Sequence, residues 1–172
     1  MSERLAQSAG KVQRVLEALG LLARVIELPS TTRTAREAAV AIGCHVEQIA
    51  KSLVFRTVAD GRPVLVIASG RNRVDEDRLA VLVGEPVEKA DAAYVRRHTG
   101  YAIGGVPPVG HLEPHQTLVD VDLSVLEEIW AAAGTPHAVF CLTPAELLRI
   151  TGGMAVRLRE GPSSTTSQRA LD

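Results

Sequence analysis

Aromatic residues are scarce in this chain of 172 residues, at 3% of the composition. The hydrophobic core therefore has to be built from Val, Leu, Ile and Ala, which bring the hydrophobic content to an ordinary 46%. No apolar run approaches the ~18 residues of a transmembrane helix. The polar N-terminus also lacks the apolar segment of a signal peptide. We therefore expect a cytoplasmic protein without membrane contact.

Excess charge of either sign is also absent, because 19 basic and 20 acidic residues leave a formal net charge of −1. No global field draws such a chain to nucleic acid, so RNA contact would depend on a local group of basic residues. The candidates for such a group are Arg71, Arg73, Arg96 and Arg97.

Motifs of the common catalytic classes are missing. The chain has no Gly-x-Ser-x-Gly elbow, Walker loop, His-Glu-x-x-His pair or dinucleotide fingerprint. Its two cysteines, Cys44 and Cys141, show no metal-ligand spacing, and we interpret them as free thiols in a reducing cytosol. We expect no metal and no cofactor, so any hydrolysis would lack the usual nucleophile or metal.

A loop rich in glycine and proline dominates the second half of the chain. Residues 99–111 read TGYAIGGVPPVGH, with four glycines and two adjacent prolines. This composition predicts a shaped loop whose bare amides can approach a ligand. Tyr101 and Ile103 alternate with small residues and predict a short strand leading into it. From the residues alone, the loop is either a plain tight connection or a binding loop.

The order of predicted elements favours an α+β fold, with helices packed around a mixed sheet. Asp60-Gly61 predicts a hairpin between strands 53–58 and 64–68, whose apolar runs place it centrally in the sheet. Hydrophobic periodicity and capping residues predict the remaining elements. Helices are predicted over 12–19, 34–43, 46–51, 75–83, 91–98, 122–133 and 143–152, and strands over 23–28, 116–121, 138–142 and 154–158. We expect one domain over residues 1–158 and a disordered tail over 159–172.

Lys51 is the most informative charged residue, because it lies where a predicted short helix meets an apolar strand. Its ammonium group either snorkels to the surface or occupies a pocket, where it would suit a phosphate or a developing oxyanion. Ser69 and Gly70 close the second hairpin strand in a small turn of the kind that lines clefts. His111, Asp120 and His137 follow along later strands, and each is either functional or an ordinary polar group.

Four segments, taken together, resemble the YbaK/ProX family of stand-alone relatives of the editing domain in bacterial prolyl-tRNA synthetase. They are TAREAA at 34–39, QIAKSLVF at 48–55, VIASG at 66–70 and TGYAIGGVPPVG at 99–110. The resemblance covers residues 12–158 in the family's order.

The resemblance implies a mixed sheet surrounded by helices and a pocket for the aminoacylated 3′ end of tRNA. It also implies hydrolysis of the ester that links a wrong amino acid to that tRNA. The family lysine corresponds to Lys51, and the family's Gly-x-x-x-Pro loop corresponds to Gly104 through Pro108. In this family the tRNA's own terminal hydroxyl is thought to help activate the attacking water.

We therefore expect a trans-editing aminoacyl-tRNA deacylase that acts on tRNA-Pro carrying a small amino acid such as Ala or Cys. The expected catalytic residues are Lys51, Gly104 and Gly105. The expected substrate-binding residues are Thr34, Ser69, Gly70, Tyr101, Val106, Pro108, Gly110, His111 and His137. The expected partner is the 3′ end of a mischarged tRNA, with prolyl-tRNA synthetase as a further candidate. The alternative is a regulatory module on the same fold that binds tRNA or another nucleic acid without catalysis.

Overall fold

The computed structural model describes residues 5–30 and 32–160, which form five α-helices and a sheet of eight strands. The predicted α+β class is confirmed. The elements follow in the order α1 (Gln7–Ala18), β1 (Ile26–Glu27), α2 (Ala35–Ile42), β2 (Ile49–Thr57), β3 (Pro63–Ser69), α3 (Glu76–Val83), β4 (Val87–Lys89), α4 (Ala92–Thr99), β5 (Gln116–Asp120), β6 (Ile129–Ala132), β7 (Ala138–Leu142), α5 (Pro144–Thr151) and β8 (Met154–Val156). Among these residues, no helix has the length and apolar character that a membrane crossing requires.

The β2–β3 hairpin forms the centre of the sheet. The strand order is β1-β7-β6-β2-β3-β5-β8, and β4 pairs with the far end of β2. β2 and β3 run antiparallel through the predicted Asp60-Gly61 turn, whereas β2–β6, β3–β5 and β5–β8 are parallel pairs. Both the central position of the hairpin and the mixed character of the sheet are therefore confirmed.

Both faces of the sheet are covered, because the apolar residues of the hairpin point alternately to two cores. Leu65 and Ile67 pack in the larger core with Val12 and Leu16 of α1. Their neighbours on β3, such as Val66, pack in a second core with Leu79 of α3. This double coverage explains the unbroken apolar runs of β2 and β3.

The helix boundaries follow their capping residues. The side chains of Thr34, Asp75, Asp91 and Thr143 each accept a hydrogen bond from the amide three residues later. Thr143 and Glu146 form a full capping box. At α2, the Glu37 carboxylate accepts from the amide of Arg33 instead of the amide of the N-cap residue Thr34.

The prediction of a helix that starts at Asp122 is wrong. Val121–Leu123 forms only a 3₁₀ turn, and β6 follows at Ile129–Ala132 between β2 and β7. The apolar spacing of this segment suits a helix, but Ile129 and Ala131 are also buried on alternate positions, as a strand requires. Long-range pairing with two strands decides the outcome, and local sequence does not report that pairing.

Four smaller differences concern short elements. The strand predicted over 23–28 contains only Ile26–Glu27, and no strand forms at Tyr101–Ile103, which lies in turns within the described part of the chain. β4 was not predicted, because its three residues are too few to show the alternating pattern of a strand. The predicted helix over 46–51 is a 3₁₀ turn at Val46–Gln48, so Lys51 lies inside β2.

The end of the described chain contacts the domain. Arg159 forms a β-bridge with Val74 and an ion pair with Asp122 at 3.3 Å. The amide of Glu160 donates to the carbonyl of Arg73. The rest of the predicted tail, residues 161–172, lies outside the described residues.

A buried carboxylate joins the ends of β3 and β5. Asp120 has no exposed surface and accepts three hydrogen bonds. Its Oδ2 accepts from the Ser69 amide at 3.0 Å and from Asn72 Nδ2 at 2.9 Å, and its Oδ1 accepts from the Asp122 amide at 2.9 Å. The turn after β3 is therefore held to the end of β5.

We expect Asp120→Ala to lower the free energy of unfolding by about 2–3 kcal/mol, because three donors lose their acceptor at a buried position. Urea denaturation of the full chain measures this change. The matched control is Asp77→Ala on the exposed surface of α3, which should shift stability by less than about 0.5 kcal/mol. Equal stability of the two variants would contradict the structural role of Asp120.

Candidate functional site

A gap in strand pairing opens one edge of β2. At this edge β6 pairs only with Ile49 and Ala50, and β4 pairs only with Phe55 to Thr57. Within the described residues, positions 51–54 thus have no strand partner on this side. A cavity of about 250 Å³ lies along the open edge. Its walls come from β2, β6, β7, the start of α2 and the glycine loop.

The cavity is bounded from both faces of the sheet. Successive side chains of β2 alternate between faces. Ala50 packs in the larger core with Val106 of the glycine loop, whereas Leu53 packs against the second core. The Lys51 side chain therefore reaches the cavity from the sheet face that carries Leu53, opposite to the face of the glycine loop. Because β2 lacks a strand partner here, one cavity can contact both the Lys51 side chain and the glycine loop.

Most of the cavity wall is apolar and built from small side chains. The wall includes Ala38 of α2, Ile49 of β2, Ala131 of β6, and Ala138 and Val139 of β7. Among the described residues that line it, none is Asp, Glu or His. The wall therefore offers neither a carboxylate nor an imidazole as a general base.

Lys51 is half-buried at one side of this cavity, and its ammonium group is held in place. Nζ donates to the backbone carbonyl of Asn72 at 2.7 Å. The Asn72 side chain in turn donates to Asp120 and to Asp122, at 2.9 and 2.7 Å. Burial lowers the pKa of Lys51, and the negative charge of Asp120 opposes that shift. An ammonium group has three donors, so two remain for a ligand.

The two central glycines of the loop have different roles. Gly104 lines the cavity with a φ of +91°, a conformation that favours glycine. Gly105 is buried, its amide donates to the Ala102 carbonyl at 3.0 Å, and its carbonyl accepts from Gly134 at 2.8 Å. The Gly105 amide, a predicted donor to substrate, is thus occupied by a turn. Among the described residues, the amides of Gly104 and Val106 have no partner.

A second depression, of about 450 Å³, adjoins Lys51. It is lined by Thr34 and Gly70, both predicted site residues, and by the guanidinium-bearing residues Arg33, Arg36 and Arg71. No ion pair neutralises these three arginines within the described part of the chain. Of the predicted basic group, Arg71 therefore lies beside Lys51, Arg73 follows two residues later, and Arg96 and Arg97 belong to the last turn of α4.

Several predicted residues lie away from the cavity. Ser69 is buried, and its Oγ donates to the Glu47 carbonyl at 2.8 Å. His137 is half-exposed with Nε2 at 3.9 Å from Glu27, and it is not part of the lining described for the cavity.

The last residues of the glycine loop surround a different depression. Pro108, Gly110 and His111 line this depression of about 410 Å³, while Tyr101 is buried in the larger core. His111 Nε2 lies 2.6 Å from the Pro107 carbonyl, and burial lowers the pKa of His111 to about 4. The structure therefore places only part of the predicted binding set at the cavity and the depression beside Lys51, and it places Pro108, Gly110 and His111 together elsewhere.

Most of the cavity wall was not predicted from the sequence, and two of the missed residues are Trp130 and Ser52. Trp130 lines the cavity from β6, and its assignment to a helix concealed it. Ser52 follows Lys51 directly, and its Oγ is buried without a hydrogen-bond partner among the described residues. A polar side chain inside an apolar strand was the available signal for Ser52.

Residues 29–150 match the family model of the aminoacyl-tRNA editing domain. The uncharacterised protein YwhH of Bacillus subtilis (strain 168) is 32% identical over 123 residues, which cover 72% of this chain and 78% of YwhH. The proline–tRNA ligase of Nitratidesulfovibrio vulgaris (strain DP4) is 30% identical over 103 residues, which cover 59% of this chain and 18% of the ligase. A solved structure of a candidate trans-editing enzyme for prolyl-tRNA synthetase is similar over 92% of this chain and 100% of its own, with 49% identity and a TM-score of 0.87.

The two loop glycines lead to a stability prediction. A Cβ at Gly105 would lie 2.8–2.9 Å from the backbone of Thr135, whereas a Cβ at Gly104 would meet nothing closer than Pro136 at 3.9 Å. We expect Gly104→Ala to cost about 1 kcal/mol through its positive φ. Gly105→Ala should lower stability by more than this, because the backbone of Thr135 or of the loop must move to accommodate the added Cβ.

Thermal melts of the two variants measure this difference. Gly10→Ala in α1 is the control, since its Cβ has space and alanine favours a helix, so its melting temperature should not fall. A Gly105→Ala protein as stable as Gly104→Ala would show that this contact is easily relieved.

Proposed function

This chain belongs to the aminoacyl-tRNA editing domain family, and we propose that it is a trans-editing deacylase that hydrolyses the ester of a mischarged tRNA. The observation that carries the proposal is the cavity at the open edge of β2. There Lys51 lines one side, and the other side is lined by Gly104 and Val106, whose amides have no partner among the described residues. Backbone amides suit an ester carbonyl, and a lysine ammonium group suits the phosphate or ribose oxygens at the end of an RNA strand.

The loop amides are the proposed site of the ester carbonyl. Negative charge develops on the carbonyl oxygen during attack, and preorganised amides stabilise it. Gly104 and Val106 supply these amides, while Gly105 fixes the shape of the loop through its contacts with Ala102 and Gly134. The catalytic role predicted for Gly105 thereby becomes an indirect one.

Lys51 is the proposed contact for the terminal nucleotide. Its two remaining donors suit a phosphate or ribose oxygen, and its attachment to Asn72 fixes their direction. Next to it, Arg33, Arg36 and Arg71 line the second depression, which supports a path for the phosphate backbone. This is the local basic group that a chain with a net charge of −1 needs for RNA contact.

The attacking water needs activation from the substrate. The described lining of the cavity contains no Asp, Glu or His, and a lysine ammonium is an acid. We propose that the free hydroxyl of the terminal ribose orients the water. The water oxygen bonds to the carbonyl carbon, the bond to the ribose oxygen breaks, and that oxygen takes up a proton, which leaves free amino acid and tRNA.

The apolar wall favours a small amino acid. Ala38, Ala131 and Ala138 restrict the available volume to about 250 Å³, which also has to admit part of the terminal nucleoside. One methylene in such a pocket is worth about 1–3 kcal/mol. Alanine and cysteine on tRNA-Pro are the proposed substrates. The similarity to part of a proline–tRNA ligase supports this tRNA and makes the synthetase a candidate partner.

A panel of charged tRNAs tests the function. We expect Ala-tRNA-Pro or Cys-tRNA-Pro to be deacylated at least about tenfold faster than Pro-tRNA-Pro, because the proline ring has a different shape and more methylenes than either small side chain. Release of labelled amino acid gives kcat/KM, with the spontaneous hydrolysis of each ester subtracted. Binding of tRNA without release of any amino acid would favour the regulatory module instead.

The role of Lys51 is tested by Lys51→Ala and by Lys51→Met, which keeps most of the apolar stem. We expect either change to lower kcat/KM by about 10- to 100-fold, because a hydrogen bond between a charged group and the terminal nucleotide is lost. The melting temperature of these variants should not fall, because burial of a charge is unfavourable and the half-buried charge of Lys51 is removed. Arg78→Met on exposed α3 is the matched control. Near-normal turnover by folded Lys51→Ala would contradict this role.

A further inference from the structure

Ser52 has the features of an unassigned ligand contact. Its Oγ is buried and has no hydrogen-bond partner among the described residues. The residue lines both the cavity at the open edge and a neighbouring cavity of about 190 Å³. Gly104 and Val106 line the same two cavities, so Ser52 lies next to the proposed carbonyl site. A buried hydroxyl without a partner is costly, and a ligand can compensate that cost.

The backbone of Ser52 faces the same gap. The carbonyl of Ile49 accepts from Gly70, beyond β3, at 2.7 Å, whereas the carbonyl of Val54 accepts from Ala90, beyond β4, at 3.1 Å. Peptide groups along a strand point alternately to its two edges. Ser52 lies two residues before Val54, so its carbonyl points to the edge that lacks a strand between β6 and β4. Ser52 therefore presents two acceptors, its carbonyl and its Oγ.

The chemistry of these acceptors indicates the group they would bind. In the ester of a primary amino acid such as alanine or cysteine, the carbon next to the carbonyl bears an ammonium group with three donors. No carboxylate of the described residues lines the cavity to receive it. We propose, on the basis of the proposed function, that the carbonyl and Oγ of Ser52 bind the α-ammonium group of the esterified amino acid.

This contact defines a substrate class. An α-ammonium group is common to all aminoacyl esters, so Ser52 selects for a free amine while the apolar wall selects by size. Esters with an acylated amine, such as N-acetylaminoacyl-tRNA or peptidyl-tRNA, lose the charge and two donors. Ser52 is not placed as a nucleophile, because Lys51 projects from the other face of β2 and no imidazole or carboxylate of the described lining accompanies it.

The test compares Ala-tRNA-Pro with N-acetyl-Ala-tRNA-Pro for the wild type, Ser52→Ala, Ser52→Thr and the control Ser124→Ala. Ser124 is exposed and is not among the described residues that line the cavity. The wild type should prefer the free amine by about 10²-fold or more. Ser52→Ala should lower kcat/KM for Ala-tRNA-Pro about tenfold, with little change for the acetylated ester. Ser52→Thr retains the hydroxyl and should retain the preference.

Stability provides a second readout. Ser52→Ala removes a buried hydroxyl that has no partner within residues 5–30 and 32–160, so its melting temperature should equal or exceed that of the wild type. The role of Ser52 is overturned if the wild type treats both esters alike, or if Ser52→Ala slows them equally. Absence of wild-type activity on every ester of the panel would instead overturn the proposed function.

Discussion

The open edge of β2 is the constraint on which the site depends. A strand in the interior of a sheet normally has both edges paired, and unpaired peptide groups away from water are unfavourable. Here β6 leaves β2 after Ala50 and β4 joins it only at Phe55, so among the described residues the intervening stretch has no strand partner on one edge. Because side chains alternate along β2, this free stretch is where a ligand can contact residues from both faces.

A buried hydrogen-bond network gives that edge a fixed cation. Asp120 holds the turn after β3 through Ser69 and Asn72, and the Asn72 carbonyl accepts from Lys51. The carboxylate stabilises the fold and, in the same network, limits the positions that the lysine head can adopt. A flexible four-carbon side chain thus becomes an oriented donor, which the proposed contact with the end of an RNA strand requires.

The separation of apolar and basic residues around the cavity also explains how a chain of nearly neutral charge could recognise a polyanion. Apolar small residues line the inner cavity, while arginines gather around Lys51 in the adjoining depression. The amino acid and the nucleotide of the proposed substrate would thereby meet different surroundings. Of the predicted basic residues, only Arg71 lines this depression, because the helix carrying Arg96 and Arg97 belongs to another part of the structure.

The sequence by itself determined the α+β class, the central hairpin, the capped helices and the family, because turn residues, caps and short motifs are local signals. It also singled out Lys51 and the glycine loop. Tertiary structure alone decided that Ile129–Ala132 is a strand, since its pairing partners lie far away in sequence. It likewise decided that Gly105 packs against Thr135, that His111 lies in a separate depression, and that Ser52 faces an unpaired edge. These outcomes depend on which segments become neighbours in space, and local patterns do not encode that.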